Sequence, residues 1–262
     1  MAKKLYAVPW YDCNLNCDHC DIHYMQDGQM TFQFIEELRN TDAEDVVLFG
    51  GEPLLSKQLL KEILNTGKIT SVSTNMLLFT KEIGQMLLEH DIHIATSWNP
   101  SRFKGAEYYT WLAHIADATK LGLKVMVLIT LTPDLFTYNM KRFLNKLDDM
   151  EIMGCESFLF EPFVGELSFH ELADEWLCEF HKQYKGDMVN ILEQNLDNWC
   201  HDCSEVYTLK PSGDIVKGCP HQLPIQVLSE CMSCEHAAYC KPCPMLNSCS
   251  YPKKLRELCL DS

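Results

Sequence analysis

The chain has 262 residues, of which 47% are hydrophobic and 23% charged, and it carries a formal net charge of −15. This is a globular composition with enough apolar residues for one large domain and a small one. The acidic balance argues against sequence-independent binding of DNA or RNA, where neutralised phosphates supply most of the affinity. The apolar run Val125–Leu131 is far short of the roughly 20 residues that a membrane-spanning helix needs. The opening Met1-Ala2-Lys3-Lys4 leads into a strand without the apolar segment of a signal peptide, so a cytoplasmic, non-membrane protein is expected.

From residue 4 to about 165, short β-rich runs alternate with longer amphipathic ones. Strands are expected at Leu5–Val8, Asp45–Phe49, Ile69–Ser73, Ile92–Thr96, Lys124–Leu131 and Ser157–Phe160. Helices are expected between and after them, at Thr31–Asn40, Ser56–Thr66, Thr80–Glu89, Ala106–Leu121 and Thr137–Met150. In the second helix Leu59, Leu60, Ile63 and Leu64 share one face of a 3.6-residue period. Gly84 lies inside the third, against the usual helix preference. Strands that alternate with helical crossovers imply a parallel sheet built from right-handed βαβ units. Six such units are too few for a closed eightfold barrel. The expected fold is therefore α/β, a partial (β/α)6 TIM-type barrel over residues 1–196, with functional loops at the C-terminal ends of its strands. Phe169–Tyr184 and Met188–Leu196 read as helical.

The character changes at about Asp197. Fourteen cysteines in a chain without an export signal are not expected to be disulfides, because the cytosol keeps thiols reduced. Most of them crowd into residues 13–20 and 200–259, as metal ligands do. Residues 197–262 read as a small metal-stapled module, and no repeat or low-complexity segment is present.

Cys13, Cys17 and Cys20 follow the first strand with the spacing Cys-x3-Cys-x2-Cys, and Gly50-Gly51-Glu52-Pro53 follows the second. A cubane usually takes four thiolates. Three leave one iron open for another ligand, by the logic that separates catalytic from structural zinc sites. Two residues without Cβ let backbone carbonyls approach a ligand ammonium, Glu52 adds negative charge and Pro53 fixes the turn. The pair of motifs resembles the signature of the radical S-adenosylmethionine (radical SAM) enzymes, with His19 where the family has an aromatic residue.

The resemblance implies that Cys13, Cys17 and Cys20 hold a [4Fe–4S] cluster whose fourth iron chelates S-adenosyl-L-methionine (SAM). It implies reductive cleavage of SAM to a 5′-deoxyadenosyl radical that abstracts a substrate hydrogen, the cofactor supplying the chemistry and the protein the position. Gly50, Gly51, Glu52 and Pro53 would seat SAM. Thr74-Asn75 stands where the family often has Thr-Asn-Gly, with Met76 in place of the glycine, and Ser97 where a serine often contacts the cofactor. Each of these three is equally readable as a turn or cap residue. A structural zinc knuckle completed by Asp18, His19 or His23 is the bland reading of the cysteine triplet.

Cys231-x2-Cys234-x5-Cys240-x2-Cys243 resembles the core of the SPASM extension of such enzymes, with Cys203, Gly213 and Cys219 as its leading segment. The spacings depart by one residue in places. By family topology Cys200, Cys203, Cys219 and Cys243 would hold an inner auxiliary [4Fe–4S] cluster. Cys231, Cys234, Cys240 and either Cys249 or Cys259, with Cys259 favoured, would hold an outer one. A one-cluster "twitch" extension and a zinc ribbon are the alternatives. Cys155 and Cys178 read as small buried hydrophobes. His90, His93 and His114 read as helix-end or core histidines. His201, His221 and His236 adjoin cysteines and can replace one as ligand.

The expected function is oxidative modification or crosslinking of a ribosomally made peptide, with the auxiliary clusters aiding electron transfer. The alternatives are a small-molecule radical SAM dehydrogenase and, from another class, a non-catalytic zinc-binding scaffold. Only twelve residues precede Cys13, so a peptide substrate is expected to need either a separate leader-peptide-binding protein or a short recognition sequence. An electron donor, flavodoxin or ferredoxin, is an expected partner, for which Lys253, Lys254 and Arg256 offer a basic docking patch. Sulfatase maturation carries an acidic residue directly after the inner-cluster cysteine, whereas Cys219 precedes Pro220 and His221; no catalytic base is named.

Overall fold

The computed structural model describes residues 4–17, 20, 28–103, 105–162, 176, 179–180, 182–184 and 206–217. Strands β1 (Lys4–Ala7), β2 (Asp45–Leu48), β3 (Ser71–Thr74), β4 (His93–Trp98), β5 (Val125–Leu131) and β6 (Ser157–Pro162) pair in sequence order, all parallel. Two further strands, β7 (Val206–Leu209) and β8 (Ile215–Lys217), complete an eight-stranded sheet in the order β6-β5-β4-β3-β2-β1-β7-β8. β7 lies parallel beside β1, and β8 turns back antiparallel to β7. The sheet is the mostly parallel, partial TIM-type arrangement that the alternating pattern implies. The two added strands come from the segment after Asp197. At four and three residues they are too short to show a period.

Between the strands run α1 (Phe32–Asn40), α2 (Lys57–Leu64), α3 (Lys81–Glu89), α4 (Ala106–Lys120), a one-turn α5 (Pro133–Phe136) and α6 (Met140–Ile152). Their starts follow capping chemistry. The hydroxyls of Thr31, Ser56 and Thr80 accept hydrogen bonds from Phe34, Leu59 and Ile83 N–H groups. The last helix begins at Met140 rather than Thr137, because Pro133 starts a separate turn and Asn139 caps the helix through the Arg142 N–H. Gly84 fits inside α3 because a Cβ there would stand 2.7 Å from Leu121 Cδ1 and Phe79 Cζ. His90 caps α3 and His93 opens β4. Residues 176, 179–180 and 182–183 are helical, inside the expected Phe169–Tyr184 helix.

Strand alternation divides the sheet into two faces. Leu5, Ala7, Val46, Leu48, Val72, Ile94, Val125, Val127 and Ile129 are fully buried. Between them Tyr6, Ser71, Ser73, Ser97, Met126 and Thr130 stay half-buried, a face that is small and polar at its centre. On the β4–β6 side an aromatic cluster closes the core. Phe143 meets Trp176 edge to face with centroids 4.9 Å apart, and Trp176 stacks on Phe180 at 5.7 Å. Because β1 to β6 are parallel, the loops after β1, β2, β3 and β4 all emerge at one edge.

No helix among the described residues is long and apolar enough to cross a membrane.

Candidate functional site

The loop after β1 carries Cys13, Cys17 and Cys20, all half-buried. A backbone hydrogen bond runs from Cys20 N–H to the Cys17 carbonyl, 3.0 Å. Cys13 Sγ accepts from Leu15 N–H at 3.4 Å and faces Asn75 Nδ2 at 3.8 Å. Burial pushes the Cys13 thiol up; the Leu15 N–H opposes this, the charges of Glu52 and Cys17 add to it, and the Arg102 charge lowers it. Asp18, His19 and His23 lie outside the described residues, as do Cys200, Cys203, Cys219, Cys231, Cys234, Cys240, Cys243, Cys249 and Cys259.

The glycine pair joins the second loop to the first. Gly51 N–H donates to the Trp10 carbonyl at 3.2 Å and Glu52 N–H to the Asp12 carbonyl at 2.8 Å. Trp10 Nε1–H returns a bond to the Glu52 carbonyl at 2.9 Å. A Cβ on Gly50 would stand 2.5 Å from the Trp10 carbonyl oxygen, and one on Gly51 would stand 2.0 Å from that of Asp12. Gly50 also has a φ of +141°, which side chains rarely tolerate. The room left by the missing Cβ atoms is thus filled by the backbone of the cysteine loop. The two motifs are one packed unit.

Glu52 is 0% exposed, and both of its carboxylate oxygens are engaged. Oε1 accepts from Thr74 Oγ1–H at 2.6 Å and from Leu54 N–H at 2.9 Å, and Oε2 accepts from Asn75 N–H at 2.7 Å. Burial pushes this carboxyl above its ordinary range against the pull of those three bonds and of Arg102. Pro53 follows as the first residue of a 3-10 turn that Glu52 caps. Glu52 therefore acts as a brace between the loops after β1, β2 and β3.

Thr74 ends β3, and its hydroxyl also accepts from Met76 N–H at 3.0 Å. Asn75 Oδ1 accepts from Leu77 N–H at 3.0 Å, while Nδ2 donates to Asn14 Oδ1 at 2.7 Å. Met76 stands at φ +59°, the conformation for which the family's glycine is suited, and yet it is 0% exposed. Its carbonyl lies 2.7 Å from His114 Nδ1; an oxygen only accepts, so Nδ1 carries the proton. Ser97 is half-buried near the end of β4, with no hydroxyl partner among the described residues.

The geometry at Met76 sets two energies against each other. Left-handed backbone costs a side-chain-bearing residue about 1–2 kcal/mol, whereas deleting a buried Met side chain costs about 2–5 kcal/mol. Met76→Ala keeps the strain and loses the packing; Met76→Gly loses the packing and relieves the strain. Both variants are expected to be less stable than the parent. The glycine variant, though the larger deletion, should be the more stable of the two by about 1 kcal/mol in urea unfolding. The reverse order would contradict the left-handed assignment.

Two features at this edge have no motif behind them. Asn99 Oδ1 accepts from Ser101 N–H at 3.2 Å and Ser101 Oγ–H at 2.9 Å, an Asx turn that sets Arg102 after β4. The Arg102 Nε is buried without a hydrogen-bond partner among the described residues, and its charge reaches both Cys13 and Glu52. Thr132 Oγ1 and Asp134 Oδ2, just after β5, are likewise buried and unpartnered. The signal available in the sequence was a cation following a strand end, with Lys104 two residues on, in an acidic chain. Cys155 is half-buried and packs against the core, its thiol pushed up to about 12 by burial and by Glu151.

Among the described residues no three His, Cys, Asp or Glu side chains converge on one point as single-ion ligands do. A cubane makes no such demand, since each thiolate binds its own iron. The donor set fits that group: three soft thiols in one loop, N–H donors directed at Cys13, and the neighbouring carboxylate turned away onto N–H and O–H groups.

The fold and this site define an α/β scaffold, a mostly parallel sheet that carries a three-cysteine loop packed on a glycine pair at one edge. No family model matches the chain, and no curated protein matches it by sequence. Solved structures share its fold. The structure of native anSMEcpe with bound AdoMet and Kp18Cys peptide aligns with TM-score 0.72 at 14% identity, over 98% of this chain and 97% of that one. Native anSMEcpe with bound AdoMet alone aligns at 0.71 and 14%, over 98% and 97%. Streptococcus suis SuiB bound to precursor peptide SuiA aligns at 0.59 and 13%, over 82% of this chain and 59% of that one. At these identities the likeness is one of fold.

Proposed function

We propose that the chain is a radical SAM enzyme that oxidatively modifies or crosslinks a peptide. The observation that carries this reading is the packing of the cysteine loop onto Gly50-Gly51-Glu52 at the C-terminal edge of the parallel sheet. Cys13, Cys17 and Cys20 would hold a [4Fe–4S] cluster that, with SAM bound, supplies a 5′-deoxyadenosyl radical for hydrogen abstraction. The chain's own residues do the positioning. Glu52, Thr74 and Asn75 lock three loops into one frame, and Ser97 offers a free hydroxyl beside it. The unpartnered Arg102 Nε offers a cation for the carboxylate of SAM, a pairing that would satisfy a buried donor now without one. Thr132 and Asp134 would face substrate from the next loop.

A peptide substrate is supported by two fold neighbours, the anSMEcpe structure that holds a Kp18Cys peptide and the SuiB structure that holds its precursor peptide. The tail cysteines would hold auxiliary clusters that take an electron from an oxidised substrate, and a flavodoxin or ferredoxin would reduce the first cluster. These assignments stand on the spacing of residues outside the described part of the chain.

The test is SAM cleavage by the reconstituted, dithionite-reduced chain. The parent is expected to release 5′-deoxyadenosine, and the variant with Cys13, Cys17 and Cys20 all changed to Ala is expected to release none while retaining tail iron. Undiminished release from that variant would sink the assignment.

A further inference from the structure

We infer that Asn75 is a positioning residue for the Cys13 thiolate, its side-chain N–H facing that sulfur and raising the reduction potential of the three-cysteine cluster. The inference rests on the assignment of a cluster to Cys13, Cys17 and Cys20.

Asn75 is 3% exposed, and each of its polar groups has a fixed task. Its backbone N–H is held by Glu52 Oε2 at 2.7 Å, and its Oδ1 accepts from Leu77 N–H at 3.0 Å. Flipping the amide would set the NH2 group against the Leu77 N–H and the oxygen against Asn14 Oδ1. The network therefore fixes which end is nitrogen. That nitrogen gives one proton to Asn14 Oδ1 at 2.7 Å and stands 3.8 Å from Cys13 Sγ, within the longer reach of a sulfur acceptor. With the Leu15 N–H at 3.4 Å, two N–H dipoles face one sulfur.

The Leu15 contact comes from the cysteine loop itself, two residues away. The Asn75 contact comes from the loop after β3, 62 residues along the chain, and depends on the Glu52 brace. Reduction adds negative charge to the cluster and its thiolates, so N–H groups aimed at a ligating sulfur favour the reduced form. A residue serving only the turn would need an acceptor for Leu77 N–H and nothing more.

Asn75→Ser separates the two roles, since a serine hydroxyl can still accept from the residue two positions on but carries no amide N–H to the sulfur. Asn75→Ala removes both. The full-length reconstituted chain is titrated electrochemically, following the EPR signal that vanishes when Cys13, Cys17 and Cys20 are all changed to Ala. Both Asn75 variants are expected to show, at the parent's midpoint potential, a ratio of reduced to oxidised cluster about tenfold lower. For a one-electron couple that is a midpoint about 59 mV more negative. If Asn75→Ala fails to load iron, Asn75→Ser decides. A parent-like midpoint in Asn75→Ser, or in both variants, overturns the inference while leaving the cluster in place. A parent chain with no such signal overturns the cluster assignment and this inference together.

Discussion

Gly51→Ala is expected to lower SAM cleavage about a hundredfold or more, although it adds only one methyl group. The new Cβ would lie 2.0 Å from the Asp12 carbonyl oxygen and 2.4 Å from that of Tyr11, both backbone atoms that cannot rotate away. Restoring ordinary contact moves the start of the cysteine loop by about 1 Å, a misplacement that can cost about 10²-fold where geometry sets the rate. Overpacking of this kind also destabilises by about 1–3 kcal/mol. Gly67→Ala is the matched comparison. Its φ is +68° and nothing lies within 4 Å of the added Cβ, so it should lose about 1 kcal/mol of stability and keep full cleavage. Parent-level 5′-deoxyadenosine release from Gly51→Ala would contradict the packing of the two loops.

Glu52→Ala is expected to be the more damaging change to the fold. It strips the acceptor from Leu54 N–H, Thr74 Oγ1–H and Asn75 N–H at once, in a site with no water-exposed surface. An unsatisfied buried donor costs about 1–3 kcal/mol. The three are coupled, so a total of about 3–5 kcal/mol is expected in urea unfolding of the metal-free chain, with cluster loading lost as the β1 and β3 loops part. Glu52→Gln keeps the shape and one acceptor oxygen but turns an amide NH2 toward one of the donors. It should fall between the parent and Glu52→Ala. A Glu52→Ala chain within about 1 kcal/mol of the parent would show that the carboxylate does not brace these loops.

The comparison of Glu52 with the cysteines explains what was legible in the sequence. Cys13, Cys17 and Cys20 announce themselves because three cysteines at short spacings fall within one loop. Glu52 stood out only as a charge beside a glycine pair. Its partners Thr74 and Asn75 lie 22 and 23 residues away, and pattern within one element carries no trace of them. Gly50 and Gly51 were legible as positions of close approach, but the atoms that approach belong to the preceding loop.

The strands show the same division. β5 is a seven-residue, mostly apolar run with five of its residues buried, and the expected Lys124–Leu131 lies within one residue of it. β3 was expected at Ile69–Ser73 but runs Ser71–Thr74; at Thr70 the side-chain hydroxyl, not a backbone carbonyl, accepts from Val46 N–H. β7 escaped notice because its partner β1 lies some two hundred residues away, and β8 because it is three residues long and pairs with β7. Arg102 was missed for want of any motif, and only the turn built by Asn99 and Ser101 shows why it faces the site.

The measurement that bears most directly on the account is anaerobic iron and sulfide quantitation of the reconstituted chain. It is made beside the variant with Cys13, Cys17 and Cys20 changed to Ala. A cubane on those three thiolates predicts that the variant holds about four fewer irons than the parent. The fall would run from about twelve to eight with two auxiliary clusters and from about eight to four with one. Equal iron in the two proteins, or zinc in the place of iron, would contradict a radical-generating centre at this loop.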